Sequence, residues 1–269
     1  MSQTSQVQLW SVGQCIYGHG HTPPFTKEHI LAANLGGEVT LGHATCKACQ
    51  EIINAEIEQP CMRRMFLHIR YRRGIGSRRV RGRPTELPVL TRRSQTIDSP
   101  VDSINTDEWQ KEFVPTSEHP SILVMPVYQS PGIMRGIDAA CALKEEVGAW
   151  LHTEPWHYSE ATSSDVHVQT ETNFSVFDRF LAKTAHCATV ARYGLHTFKP
   201  LLTDMILGRD MSQTRYLIGC TPPEAPSDKH YSFRFSRPTN GPLAGYIVCL
   251  FRLFADLGSP TYLIVSGKI

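Results

Sequence analysis

The chain has 269 residues, 41% of them hydrophobic, enough to bury an ordinary core and too apolar for a disordered protein. Its 27 Lys and Arg against 25 Asp and Glu leave a formal charge of only +2, so an acidic partner must be recognised by where charge is placed and not by its sum. No apolar run reaches the roughly 18 residues of a membrane span, and the polar start MSQTSQVQLW lacks the order of a secretory signal; the expectation is a cytoplasmic protein, with no membrane partner and reduced cysteines.

The first signals lie between Cys15 and Glu58. Cys46-Lys-Ala-Cys49 has the two-residue spacing with which two thiolates grip one tetrahedral zinc from a tight turn. Cys15 is the obvious third ligand. A paired arrangement would place a fourth cysteine at 18, but Gly18 stands there, followed by His19 and His21. The expected set is Cys15, His19, Cys46 and Cys49, with His21 as the replacement for His19. Of the eight cysteines, Cys61 is the remaining member of the N-terminal group. Cys141, Cys187, Cys220 and Cys249 stand singly in apolar surroundings, as buried small hydrophobes do.

Between the metal candidates run Glu28-His29-Ile30, then Leu35-Gly36-Gly37, then Thr40 to Thr45 leading into Cys46. In this ordered set the sequence resembles the HNH endonuclease family, in which an acidic-residue-plus-His strand, a Leu-Gly-Gly turn and a CxxC-led helix build a ββα-metal fold. The resemblance covers residues 15–60, within the first quarter of the chain. It implies phosphodiester hydrolysis, with His29 as general base and Glu28 as a ligand of a catalytic Mg²⁺ or another divalent cation, beside the structural zinc. Hydrolysis needs a base for water and a cation for the charge building on phosphate. The family's last ligand directly follows the second cysteine; that position is Gln50. Asn54 and Glu58 follow it at steps of four along one helix face, so one of the three supplies the ligand. The family's middle Asn is missing, and His43 is the nearest polar substitute.

Met62, Met65, Phe66 and Ile69 recur at helical spacing and open a basic stretch. From Arg63 to Arg93 there are eleven arginines, no lysine and one acid, Glu86. Arg63, Arg64, Arg70, Arg72, Arg73, Arg78, Arg79 and Arg81 are the candidates for contact with nucleic acid, since guanidinium groups suit bidentate phosphate binding. Tyr71 and His68 offer stacking surfaces, and Pro84 and Pro88 suggest an extended arm. The competing reading pairs the arginines with acids such as Glu108, Glu145 or Glu146.

Residues 94–117 read as a linker. Beyond it, Ser121–Tyr128 has the apolar density of a buried strand, and a helix is expected over 138–151. Further helices are expected over 176–193, along Phe177, Phe180, Leu181, Thr184, Ala188 and Ala191, and over 198–207. Strands follow at 216–219, 230–235, 246–254 and 262–265, the last two as a hairpin in the centre of a sheet. His186, Arg192 and Arg252 read as satisfied core or interface groups. Trp150, His152, Trp156 and His157 form an aromatic and His-rich patch.

The expectation is an α+β protein: a ββα zinc module with its arginine-rich helix and arm over 1–93, a linker, and an α+β domain over 118–269. Its expected activity is metal-dependent cleavage of DNA. The alternative is a zinc-containing nucleic-acid-binding protein that has lost catalysis.

Overall fold

A computed structural model describes residues 7–18, 21–75, 84–93, 109–154, 164–168 and 172–269. β1 (Val7–Ser11), β2 (Phe25–His29) and β3 (Val39–Cys46) form a sheet in the order β1-β3-β2, with β3 parallel to β1 and antiparallel to β2. The link between β2 and β3 contains the 3-10 turn Ala33–Leu35, closed by Gly36 at φ 80°. A Cβ on the next residue, Gly37, would lie 1.9 Å from the Leu31 carbonyl oxygen. One glycine supplies left-handed backbone and the other an absent side chain, which is the physical content of the Leu-Gly-Gly motif.

β3 leads directly into a helical stretch made of α1 (Lys47–Ile52), two π-type segments (Ile53–Glu58 and Cys61–Met65) and α2 (Leu67–Arg72). Met62, Met65, Phe66 and Ile69 are all buried, as their spacing predicts. The order strand, strand, helix is therefore present, with Cys46 and Cys49 at the junction of the second strand and the helix.

The expected linker gives way to structure at its described end: β4 (Glu86–Arg93) pairs with β5 (Gln110–Pro115) over six residue pairs. The described end of the proposed arm is thus a strand, and Pro88 lies where only β5 borders it. β6 (Ser121–Val127) is found as expected. After α3 (Gly132–Arg135), the helix expected over 138–151 shrinks to α4 (Ala139–Leu143), capped by Asp138. The remainder becomes β7 (Gly148–Glu154) paired with β6, because Trp150, His152 and Glu154 alternate with more exposed neighbours at the period of a strand. β8 (Ser164–His167) completes the β4 sheet.

α5 (Phe174–Tyr193) is the expected long helix, and every residue from Phe180 to Ala191 is buried. A helix buried all round must have neighbours on several sides. Here two neighbouring strands, Tyr246–Leu253 and Pro260–Lys268, cover one side and the π-type segments of the N-terminal helix another. The helix expected over 198–207 is confined to α6 (Thr203–Ile206): Phe198 is extended and Lys199–Pro200 forms the short β9, since the residue before a proline avoids the helical region. Tyr216, expected in a strand, belongs to α7 (Thr214–Leu217), and β10 (Ile218–Pro223) begins after it.

β10, β11 (Tyr231–Ser236), β12 (Tyr246–Leu253) and β13 (Pro260–Lys268) form the main sheet in the order β10-β13-β12-β11, with β9 also on β13. The β12–β13 hairpin lies at its centre, as expected. One continuous core joins the two halves: the Phe66 ring meets Phe177, Phe180 and Phe254 edge-on with centroids 6.1, 5.9 and 5.4 Å away. The protein is α+β. Among the described residues, no helix is long and apolar enough to cross a membrane.

Candidate metal centre and groove

Cys15 lies in the turn after β1, His21 precedes β2, Cys46 ends β3 and Cys49 sits in the first turn of α1. Their donor atoms all lie within 4.8 Å of one another and could hold a metal ion. His21 Nδ1 is 3.4 Å from both Cys46 Sγ and Cys49 Sγ. Tetrahedral zinc, with bonds of about 2.3 Å to sulfur and about 2.0 Å to nitrogen, places S and N about 3.5 Å apart, so the donor set fits such an ion. His19 lies outside the described residues, and His21 fills the place first expected of it. Gly18 explains how: a Cβ there would come within 3.2 Å of the His21 ring. The bare backbone at Gly18 leaves room for the imidazole.

The Cys15 thiol is pushed down to about 4, chiefly by its hydrogen bond with Cys49, and the same contact pushes Cys49 up. Cys61 is buried in the core and belongs to no such cluster; burial pushes its thiol up. Cys187, Cys220 and Cys249 are buried as expected, whereas Cys141 is exposed on α4.

Beside this centre a groove of about 350 Å³ opens between β2 and the helical stretch, lined by Lys27, Glu28, His29, Gln50, Asn54 and Glu58 among others. All five residues expected to carry catalysis therefore border one space. β2 supplies Glu28 and His29 from its end, and α1 with the first π-type segment supplies the rest. Thr26 Oγ1 donates to Gln50 Oε1 at 3.3 Å, joining β2 to α1. His43 is elsewhere. It occupies a bulge of β3 with φ 45°, exposed, its Nδ1 2.8 Å from Ser11 Oγ, so it does not replace a groove-lining Asn.

Glu28 is only 5% exposed. Its Oε1 lies 2.8 Å from the Nζ of Lys183, a wholly buried residue of α5 that also donates to Glu58 Oε1 at 3.0 Å and to the His29 carbonyl at 2.5 Å. Burial raises the Glu28 carboxyl above its ordinary value against the pull of Lys183. Burial alone would lower the Lys183 ammonium, but Glu28 and Glu58 reverse this and hold it above the ordinary lysine value. Tyr17, two residues after Cys15, is buried with its hydroxyl 3.2 Å from Cys187 Sγ. The His186 Nε2 contact with the Ile16 carbonyl, 2.8 Å, fastens the same loop to α5.

The arginines divide. Arg70 is buried, its Nε donating to the Asn34 carbonyl and its Nη1 to the Met62 carbonyl, each at 2.7 Å. Arg72 donates to the Ser117 carbonyl and faces Glu154 at 3.6 Å, and Arg73 pairs with Asp256 at 2.8 Å and Glu154 at 3.7 Å. These three therefore serve the fold. The acids that hold them are not the ones expected: Glu145 pairs with Arg135, and Glu108 is outside the described residues. Arg63 and Arg64 are exposed on the second π-type segment. Arg78, Arg79 and Arg81 lie outside the described residues. His68 stacks on His119 at 4.7 Å and is buried, so it offers no face to a base. His186 and Arg252 are buried and hydrogen-bonded as expected, while Arg192 is exposed. Trp150 and His152 stack on β7, and Trp156 and His157 lie outside the described residues.

No protein-family model, curated protein or solved structure matches the chain. Sequence reasoning missed Lys183 and Tyr17. Lys183 carried a signal: it is a lysine surrounded by the apolar positions of a long helix, and such a charge is buried only with partners.

Proposed function

We propose that the chain is an HNH-like, zinc-organised nuclease that hydrolyses phosphodiester bonds in DNA with the help of a second divalent cation. The observation that carries this reading is the convergence of Glu28, His29, Gln50, Asn54 and Glu58 on one groove beside the Cys15, His21, Cys46 and Cys49 cluster. Zinc held by that cluster would tie the Cys15 loop and the His21 loop to the start of α1. A divalent cation bound by groove oxygens would supply neutralisation of the charge that builds on phosphate.

The chain's own residues divide the remaining work. A ring nitrogen of His29 takes the proton of the attacking water. Gln50, Asn54 and Glu58 present oxygen atoms from the helix side, and Glu58 is the more open of the two carboxylates, its side chain 24% exposed against 6% for Glu28. Glu28, deep and paired with Lys183, holds the end of β2 in place. Arg63 and Arg64 offer exposed positive charge for the phosphate backbone.

A second reading is favoured by Lys183, whose ammonium already neutralises part of the Glu28 and Glu58 charge: a zinc-containing protein that binds nucleic acid without cutting it. Plasmid nicking with Mg²⁺ or Mn²⁺, against EDTA, separates the two. Nicking that EDTA abolishes supports the nuclease; binding without nicking in either metal supports the second reading.

A further inference from the structure

We propose that Lys183 is a positioning residue of the groove, a three-point clamp through which α5 sets the place of His29 against Glu58. The proposal rests on the reading of the groove as a hydrolytic site, but its geometry stands by itself. An ammonium group has three donors and no acceptor. Lys183 meets three oxygens, Glu28 Oε1, Glu58 Oε1 and the His29 carbonyl, at 2.8, 3.0 and 2.5 Å. Two of them belong to β2 and one to the helical stretch that forms the opposite wall. The clamp therefore spans the groove from beneath, and the lysine itself, 0% exposed, does not line it.

Stability alone is a poor account of this arrangement. A buried ion triad of this kind is often no more stabilising than apolar side chains of the same volume, since desolvation offsets the attraction. What apolar side chains could not do is fix direction. With Oε1 of Glu58 held by Lys183, its other oxygen is left for the groove, and with the His29 carbonyl held by the same ammonium, the backbone that carries the imidazole cannot slide along β2. The His186 contact with the Ile16 carbonyl ties the loop that bears Cys15 to the same helix, so the metal centre and the clamp are both fastened to α5. The C-terminal half is then part of the site and not a separate domain appended to it.

The test uses the zinc-loaded full chain and two readouts, the His29 imidazole ¹H–¹³C NMR signals without added metal, and Mn²⁺ binding followed by EPR. Lys183→Met keeps the length and removes the ammonium. Its expected result is shifted and broadened His29 signals and Mn²⁺ affinity reduced about tenfold, with zinc content unchanged; Arg215→Met, which breaks the remote buried pair with Asp178, leaves His29 where it is. Glu58→Gln provides the coupling test. Its effect on His29 must shrink in the Lys183→Met background, because the clamp transmits it.

Unmoved His29 signals in Lys183→Met, or equal or tighter Mn²⁺ binding, overturn the proposal. If Lys183→Met does not fold, Glu58→Gln alone decides, and unmoved His29 signals there overturn it too. A wild-type chain that neither binds Mn²⁺ nor nicks DNA refutes the hydrolytic reading, and the His29 signals still decide the clamp.

Discussion

The Cys/His centre and the arginine stretch were both conspicuous in the sequence, yet the structure treats them in opposite ways. Cys15, His21, Cys46 and Cys49 converge within 4.8 Å, while Arg70, Arg72 and Arg73 turn inward or onto acids. The first pattern is local: two ligands sit three residues apart on one turn, and their distance follows from backbone geometry. The second depends on what packs over it, and Glu154 and Asp256 come from strands and turns far along the chain. Spacing is a statement about geometry, whereas a run of like charge is a statement about composition only.

The largest effect expected on this contrast is at the ligands. Cys49→Ala should release zinc and lower the melting temperature more than any arginine variant, because the cluster loses one of its four ligands while the segment keeps its packing against α5. Metal analysis with thermal melting checks it, and a variant that melts like wild type would remove the centre from the account. Arg70→Met should come next, costing about 2–4 kcal/mol since two buried carbonyls lose a charged donor. Arg63→Ala should leave the melting temperature unchanged and lower the salt dependence of DNA binding by a log-log slope of about 1. If Arg70 proved silent in stability and Arg63 costly, the division of the arginines would be reversed.

The same distinction explains how much was legible beforehand. α5 and the β12–β13 hairpin follow from periodicity and turn chemistry that act within a few residues, whereas the strand-strand-helix order around the Leu-Gly-Gly turn was expected from the resemblance alone. The groove was legible residue by residue, since Gln50, Asn54 and Glu58 share a helix face and Glu28 and His29 share a strand end. Its floor was not. Lys183 stands 125 residues from Glu58, and no spacing rule reaches that far. The helix over 138–151 failed for a related reason: pairing with β6 favoured the alternation of Trp150, His152 and Glu154 over helical propensity.

A smaller effect concerns acid. Burial, with His119 beside it, pushes His68 down to about 4. Its native value lies below the unfolded value near 6.5, so the unfolded chain binds more protons between the two, and stability falls as pH drops through that window. Between pH 7 and 5 the loss from this residue should be on the order of 1 kcal/mol after allowance for solvent screening. Melts of wild type and His68→Phe over that range compare it, and equal slopes would dismiss His68 as a source.

The central claim, a hydrolytic groove served by His29, is tested most directly by nicking of supercoiled plasmid by the zinc-loaded chain in Mg²⁺ or Mn²⁺, with His29→Ala beside it. The account predicts nicking that EDTA abolishes, a loss of about 10²–10⁴-fold in His29→Ala, and DNA binding unchanged in that variant. Equal nicking by the two proteins, or none by wild type in either metal, would contradict it.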